Sequence, residues 1–168
     1  FDVIKTLKEN GINLTMLTGD NESSAKSISK KLKIKDYKYN LLPQDKLEIA
    51  EKIKKTGITG FVGDGINDAP VLTSVDVGFS MGGLGSDAAI EASDVVIMED
   101  NLEKIIESIR LSKKTSKIIK ENLVFIFFTK FAFLTLGIFG LTSMWAAVFA
   151  DVGVALISII NSTRIYKK

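Results

Sequence analysis

Apolar and polar positions along the first hundred residues alternate between two periods. Phe1, Ile4 and Leu7 recur at helical spacing before Gly11, a residue suited to ending a helix. Ile12–Leu17 is a short apolar run with β-propensity. Residues 21–32 form a polar helical stretch, with Asn21 or Ser23 as possible N-cap. A strand is predicted over Tyr39–Leu42. A helix then runs from Pro43 to about Lys55, with Ile49, Ala50 and Ile53 on one face and Gly57 as its stop. Ile58–Val62, Val75–Ser80 and Val95–Met98 read as further strands, the last two separated by a short helix over 87–92. Strands that alternate with helices predict a parallel, doubly wound α/β sheet.

From Asn101 the pattern changes. Leu102, Ile105, Ile106, Ile109 and Ser112 mark one helical face, and no Pro or Gly interrupts it before the apolar region. Leu123–Leu141 and Met144–Asn161 are each close to the roughly 20 residues that a helix needs to cross hydrocarbon. Only Thr142 and Ser143 separate them, which predicts a tight helical hairpin. Lys113, Lys114, Lys117 and Lys120 precede the first span, and Arg164, Lys167 and Lys168 follow the second. The positive-inside rule puts both chain ends in the cytoplasm, with the Thr142–Ser143 turn and Trp145 outside.

Composition sharpens this division. A quarter of the 168 residues are charged, yet 123–163 hold only Lys130 and Asp151. The net charge of +2 gives no field that would attract nucleic acid. With no Cys and no His, disulfides and Cys/His zinc sites are excluded within these residues. Phe1 is not an initiator Met and reads as the middle of a helix, so the chain is expected to be part of a longer one.

Three strings carry candidate chemistry. Gly63-Asp64-Gly65-Ile66-Asn67-Asp68-Ala69-Pro70 follows the predicted strand 58–62. Its glycines free backbone amides, and Asp64 and Asp68 offer oxygen ligands to a hard cation such as Mg²⁺ beside a phosphate. Thr18-Gly19-Asp20-Asn21 ends the predicted strand 12–17; a Thr hydroxyl and a Gly amide at a helix N-terminus can hold a phosphoryl oxygen. Lys46, at the start of the predicted helix 43–55, can offset phosphate charge. Taken singly, the second string is an ordinary capping sequence and Lys46 an ordinary surface lysine. Lys130 and Asp151 are a separate case. A charge at the centre of a span costs about 2.5–3.5 kcal/mol, so such residues are usually functional or paired. An ion pair that only holds the hairpin together is the plain alternative.

Together the strings resemble the haloacid-dehalogenase-like phosphotransferases. Thr18–Asn21 and Gly63–Pro70 as full strings look like the P-type ATPases within that superfamily. Met81-Gly82, the run from Gly85 to Ala92, Asp94–Met98 and Asn122 resemble the heavy-metal pumps, as Lys130, Leu141–Trp145 and Ala150–Gly153 resemble the last two membrane helices of zinc/cadmium/lead exporters. The resemblance covers essentially the whole chain. It implies a haloacid-dehalogenase-like, Rossmann-type parallel sheet (part of a phosphorylation domain, 1–100), a linking amphipathic helix (101–122) and a two-helix transmembrane hairpin (123–168). It also implies roles. Asp64 and Asp68 would hold Mg²⁺, and Asn67 and Asp68 would order the phosphorylation site. Thr18, Gly19 and Lys46 would contact the phosphoryl group, with Asp20 tying the loop. Asp151 would be a ligand of the transported Zn²⁺, Cd²⁺ or Pb²⁺, and Lys130 its counter-charge. The implied partners are the lipid bilayer of the cell membrane, the metal ion and further pump domains upstream, the last binding most of the ATP.

Copper pumps of the same family typically carry Met and Ser in this stretch. Met144, at the outer turn, reads as packing, and Trp145 as an interfacial anchor. The Asp-Lys-Thr-Gly-Thr string that carries the phosphorylated Asp, the Thr-Gly-Glu loop, the His-Pro motif and the Cys-Pro-Cys site are not in these residues. Alone, the chain is therefore expected neither to hydrolyse ATP nor to move metal. A copper-type pump fragment and a non-catalytic membrane remnant are the alternatives.

Overall fold

The computed structural model describes residues 3–63, 66–81, 87–99 and 101–166. They form two compact units, 1–106 and 107–168. In the first unit the helices are α1 (Val3–Glu9), α2 (Glu22–Leu32), α3 (Pro43–Lys54), α4 (Ala69–Ser74) and α5 (Asp87–Glu91); the strands are β1 (Thr15–Leu17), β2 (Asp36–Lys38), β3 (Gly60–Gly63), β4 (Val77–Met81) and β5 (Val95–Ile97). A 3₁₀ turn, Ile66–Asp68, leads into α4.

All strand pairing is parallel, as the alternation of strands and helices predicts. It falls into two pieces: β1 pairs with β2, and β4 lies between β3 and β5. Among the described residues, β1 and β3 do not pair. Strand positions differ from the apolar runs: β1 starts at Thr15 rather than Ile12, β4 at Val77 rather than Val75, and two further strands are displaced. The second strand lies at 36–38, not 39–42, because Asn40 takes a left-handed backbone (φ 54°) that no strand can run through. Ile58 is 93% exposed, and the third strand starts only at Gly60. Before it, the Thr59 N–H donates to the Asp76 carboxylate (2.9 Å), and the Thr59 carbonyl accepts from the Asp76 N–H (3.0 Å). These bonds fix where the β3–β4 ladder begins.

The helix α4 has no counterpart among the sequence expectations. Pro70 sits in its first turn, where a missing N–H costs nothing. The helix supplies Val71 and Leu72, both fully buried, to the sheet. Ala50 of α3, Val71 and Val75 form a core cluster, with Leu47 and Phe61 packed on it. The helix also passes close over β4: a Cβ built on Gly78 would stand 2.7 Å from the Leu72 carbonyl oxygen.

The second unit is built on the long helix α6 (Glu103–Ile138), whose residues from 107 onward belong to it. It continues with α7 (Met144–Val148), a π-turn (Phe149–Gly153), α8 (Val154–Ser162) and a 3₁₀ turn (Thr163–Tyr166). The first helix stops at Ile138, three residues short of the expected Leu141. Gly140 takes φ 68°; its N–H donates to the Gly137 carbonyl (3.0 Å), and the Leu141 N–H donates to the Leu136 carbonyl (3.0 Å). This is the left-handed stop that favours glycine, with leucines in its hydrophobic contact positions. The connection is therefore 139–143 rather than Thr142–Ser143 alone. Ser143 caps α7, its hydroxyl accepting from the Ala146 N–H. Both helical stretches are long and apolar enough to cross a membrane. Their outer faces agree: Phe127, Phe128, Phe131, Leu134, Ile159 and Ile160 are all exposed.

Candidate functional site

The first candidate site gathers at the C-terminal ends of β1 and β3. Thr18 follows β1. Its hydroxyl donates to Asp20 Oδ2 (3.0 Å) and accepts from the Asp20 N–H (3.1 Å), closing a tight loop. Asn21 then caps α2, its side-chain oxygen accepting from the Ser24 N–H (3.0 Å). Three backbone bonds tie this loop to the segment after β2: Thr18 N–H to the Lys38 carbonyl, Asn40 N–H to the Asp20 carbonyl, and Leu41 N–H to the Thr18 carbonyl. Gly19 lies against that segment, where a Cβ would come 3.2 Å from the Leu41 carbonyl oxygen. Nearby, the Glu22 carboxylate beside Tyr39 raises the phenol above its ordinary value of 10.0.

The same segment leads into α3. The Leu42 N–H donates to Asp45 Oδ2 (2.8 Å), and Pro43 opens the helix. This places Lys46 one turn in, with its Nζ 2.9 Å from Asp68 Oδ1. Lys46 is therefore no solvated surface lysine: its side chain is 19% exposed and that of Asp68 11%. Asp68 closes the 3₁₀ turn after β3, and its Oδ2 faces Gly63. A Cβ there would come 2.9 Å from Asp68 Cβ and 3.0 Å from Oδ2. The glycine is thus what lets the carboxylate lie against the strand end. Asn67 is exposed beside it, and Asp64 lies outside the described residues. So Thr18, Gly19, Asp20, Lys46 and Asp68 are joined by one chain of contacts, from the loop after β1 through α3 to the turn after β3.

The donors of this cradle suit a hard cation. Carboxylate oxygens are the right donors, and the Gly63 contact leaves room at the Asp68 carboxylate that a side chain would fill. The residues fit Mg²⁺ in kind. Among the described residues no cluster of three or more His, Cys, Asp or Glu side chains occurs.

The second candidate site lies in the helical hairpin. Lys130 Nζ of α6 stands 3.1 Å from Asp151 Oδ1. Asp151 is carried by the π-turn, in which the Val154 N–H donates to the Phe149 carbonyl, five residues back. Gly153 makes space for the Phe149 ring; a Cβ on it would come 2.7 Å from the ring. Periodicity alone does not reveal this turn. The one signal is the pairing of a bulky ring with a glycine four residues later.

A polar network at the other end of the hairpin was also missed. Asn122 donates to the Ser158 carbonyl (3.1 Å) and to the Ser162 hydroxyl (2.9 Å), and accepts from the Asn161 amide (2.7 Å). Arg164 donates to Glu121 (2.9 Å) and to the Asn161 side-chain oxygen (3.0 Å), and Lys114 to the Ile165 carbonyl (3.3 Å). Ser158 with Asn161 and Ser162, three and four residues further on, was its sequence trace.

Residues 1–76 match the family model described as haloacid dehalogenase-like hydrolase. The chain is 48% identical to a zinc-transporting ATPase of Synechocystis sp., over 98% of the chain and 23% of that protein. It is 46% identical to a cadmium, zinc and cobalt-transporting ATPase of Bacillus subtilis, over 98% and 24%. The chain belongs to the heavy-metal P-type ATPases. Its structure agrees: it superposes on the crystal structure of a zinc-transporting PIB-type ATPase in an E2·Pi state with a TM-score of 0.92 and 33% identity, covering 98% of this chain and 27% of that one. The chain spans about a quarter of the length of the curated relatives it matches. Its first unit carries the haloacid-dehalogenase-like sheet, its second two apolar helices of a membrane protein.

Proposed function

We propose that this chain forms part of an ATP-driven exporter of zinc or cadmium, supplying one half of the phosphorylation domain (1–100), a linking helix (101–122) and two membrane helices (123–168). The observation that carries the reading is the contact chain from Thr18 to Asp68, closed by the largely buried Lys46–Asp68 pair. In this reading the strand bearing the phosphorylated Asp comes from elsewhere in the pump and inserts between β1 and β3, which do not pair among the described residues. Thr18 Oγ and the Gly19 N–H then face the phosphoryl oxygens, and Lys46 offsets their charge. Asp20 holds the Thr18 hydroxyl in place, and Asn67 orders the turn.

Asp64 and Asp68 would hold Mg²⁺, which when bound neutralises phosphoryl charge. Lys46, by engaging Asp68 Oδ1, fixes the direction of the other oxygen. In the hairpin, Asp151 serves as ligand to the transported ion, and Lys130 supplies a cation that takes the ion's place once it has left. Both chain ends lie on the cytoplasmic side. These residues hold no Asp-Lys-Thr-Gly-Thr string to be phosphorylated, and alone the chain neither hydrolyses ATP nor moves metal.

The test is metal-stimulated ATPase activity of the complete pump across Zn²⁺, Cd²⁺, Pb²⁺ and Cu⁺, with Asp151→Ala beside it. Stimulation by divalent ions, lost in the variant, supports the reading. Stimulation by Cu⁺ alone, or none by any ion, overturns it, as does ATP hydrolysis by the isolated chain.

A further inference from the structure

Between Ser108 and Lys120 the chain carries Arg110, Lys113, Lys114, Lys117 and Lys120 and no acidic residue. The cations are not spread evenly around α6. Lys113, Lys117 and Lys120 line one open groove of about 940 Å³, together with the hydroxyls of Ser112 and Ser116. The acid on its wall, Glu121, is already engaged by Arg164 at 2.9 Å. Lys117 and Lys120 give this wall its positive charge.

Toward the apolar half of the helix the same groove is lined by Val124, Phe125 and Phe128. Val124 and Phe128 are 69% and 74% exposed, and Phe125 39%. One surface thus passes from ammonium and hydroxyl groups to aliphatic and aromatic carbon within about four helical turns, or roughly 24 Å. An anion with a hydrocarbon tail matches both ends at once. A soluble anion would leave the apolar end wet, and a zwitterionic lipid would bring its own cation to the lysines.

We propose that this face of α6 is a binding site for one anionic phospholipid, its phosphate held by Lys117, Lys120 and the neighbouring hydroxyls and its acyl chain lying on Val124 and Phe128. The proposal rests on the second unit being embedded in a bilayer. Basic clusters immediately cytoplasmic of a membrane helix bind anionic lipid at about 1 kcal/mol per Lys. That corresponds to about fivefold in affinity per lysine.

The experiment has two stages, both on the whole chain. The first reconstitutes it in phosphatidylcholine vesicles and extracts them at alkaline pH. Release of the chain defeats the membrane reading and the lipid site with it. Retention followed by failure of the second stage defeats the site alone. The second stage titrates the chain in zwitterionic micelles with dioleoylphosphatidylglycerol, dioleoylphosphatidylcholine or inorganic phosphate, and reads bound species by native mass spectrometry.

Phosphatidylglycerol is expected to bind at least about tenfold more tightly than phosphatidylcholine. Lys117→Gln/Lys120→Gln should weaken it by about 25-fold at low salt without touching phosphatidylcholine. The control Lys30→Gln/Lys31→Gln, an equal charge change on α2, should leave binding unchanged. Equal binding of the two lipids, an equal loss in the control, or displacement of the lipid by an equal concentration of inorganic phosphate would each overturn the proposal.

Discussion

Removing the Lys46 ammonium should destabilise the first unit more than removing the Asp68 charge. The two side chains sit 2.9 Å apart at 19% and 11% exposure. Lys46→Met leaves Asp68, 8% exposed as a residue, holding an unpaired carboxylate against Gly63. Breaking a buried pair from one side costs about 3–5 kcal/mol, and the partial exposure brings this down to about 2–3 kcal/mol. Asp68→Asn keeps the shape and leaves an ammonium on a flexible stem that can swing toward water, for a cost of about 1 kcal/mol. In Lys46→Met/Asp68→Asn neither charge is stranded, so the double variant should recover at least about 1 kcal/mol relative to the sum of the singles. Hydrogen exchange of peptides spanning β3 to α4, read by mass spectrometry, gives the local opening free energy of each variant. Additive effects, or Asp68→Asn costing more than Lys46→Met, would refute the argument, because the pair would then not be coupled through burial.

Two further outcomes follow from the packing. Asn122→Ala removes three hydrogen bonds between the hairpin helices; at about 0.6 kcal/mol each in a membrane setting, the loss is about 2 kcal/mol. Detergent unfolding followed by the fluorescence of Trp145, the sole tryptophan, should show it, and no shift in midpoint would count against the network. Gly78→Ala should cost about 1–3 kcal/mol by overpacking, since the new methyl meets backbone of α4 at 2.7 Å and not a movable side chain. Faster exchange of the β4 and α4 amides is the expected readout, and unchanged protection would mean that α4 shifts freely.

Much of this was legible along the chain because periodicity and end signals agreed. Asn21 caps α2, Pro43 opens α3, and parallel pairing follows from the alternation of strands and helices. The failures have physical causes. Asp36–Lys38 is an edge strand of mostly exposed residues, so it lacks the apolar run that marked Tyr39–Leu42 instead. The short helix α4 hides behind a proline and a string that reads as loop chemistry. Gly140 ends α6 through its left-handed backbone, a signal that the apolar run across 139–141 masked. At the candidate sites, the residue types pointed to phosphate and ion chemistry. What the chain alone did not give was burial: only packing shows that Lys46 is enclosed with Asp68, and that Asn122 joins α6 to α8.

The π-turn at Phe149–Gly153 has a consequence for length as well as for composition. Such a turn holds one residue more than an α-helix needs over the same span. That surplus residue sets the phase of Asp151 against everything that follows it on α8, including the Ser158 and Asn161 contacts to Asn122. Deleting any single residue between 151 and 154 would restore an ordinary helix while changing the phase and height of Asp151 relative to those anchors. The ion pair with Lys130 and the Asn122 network would then compete for one helix orientation. In this stretch the number of residues is a functional parameter, so a deletion should be felt more strongly than a conservative substitution at any one of them.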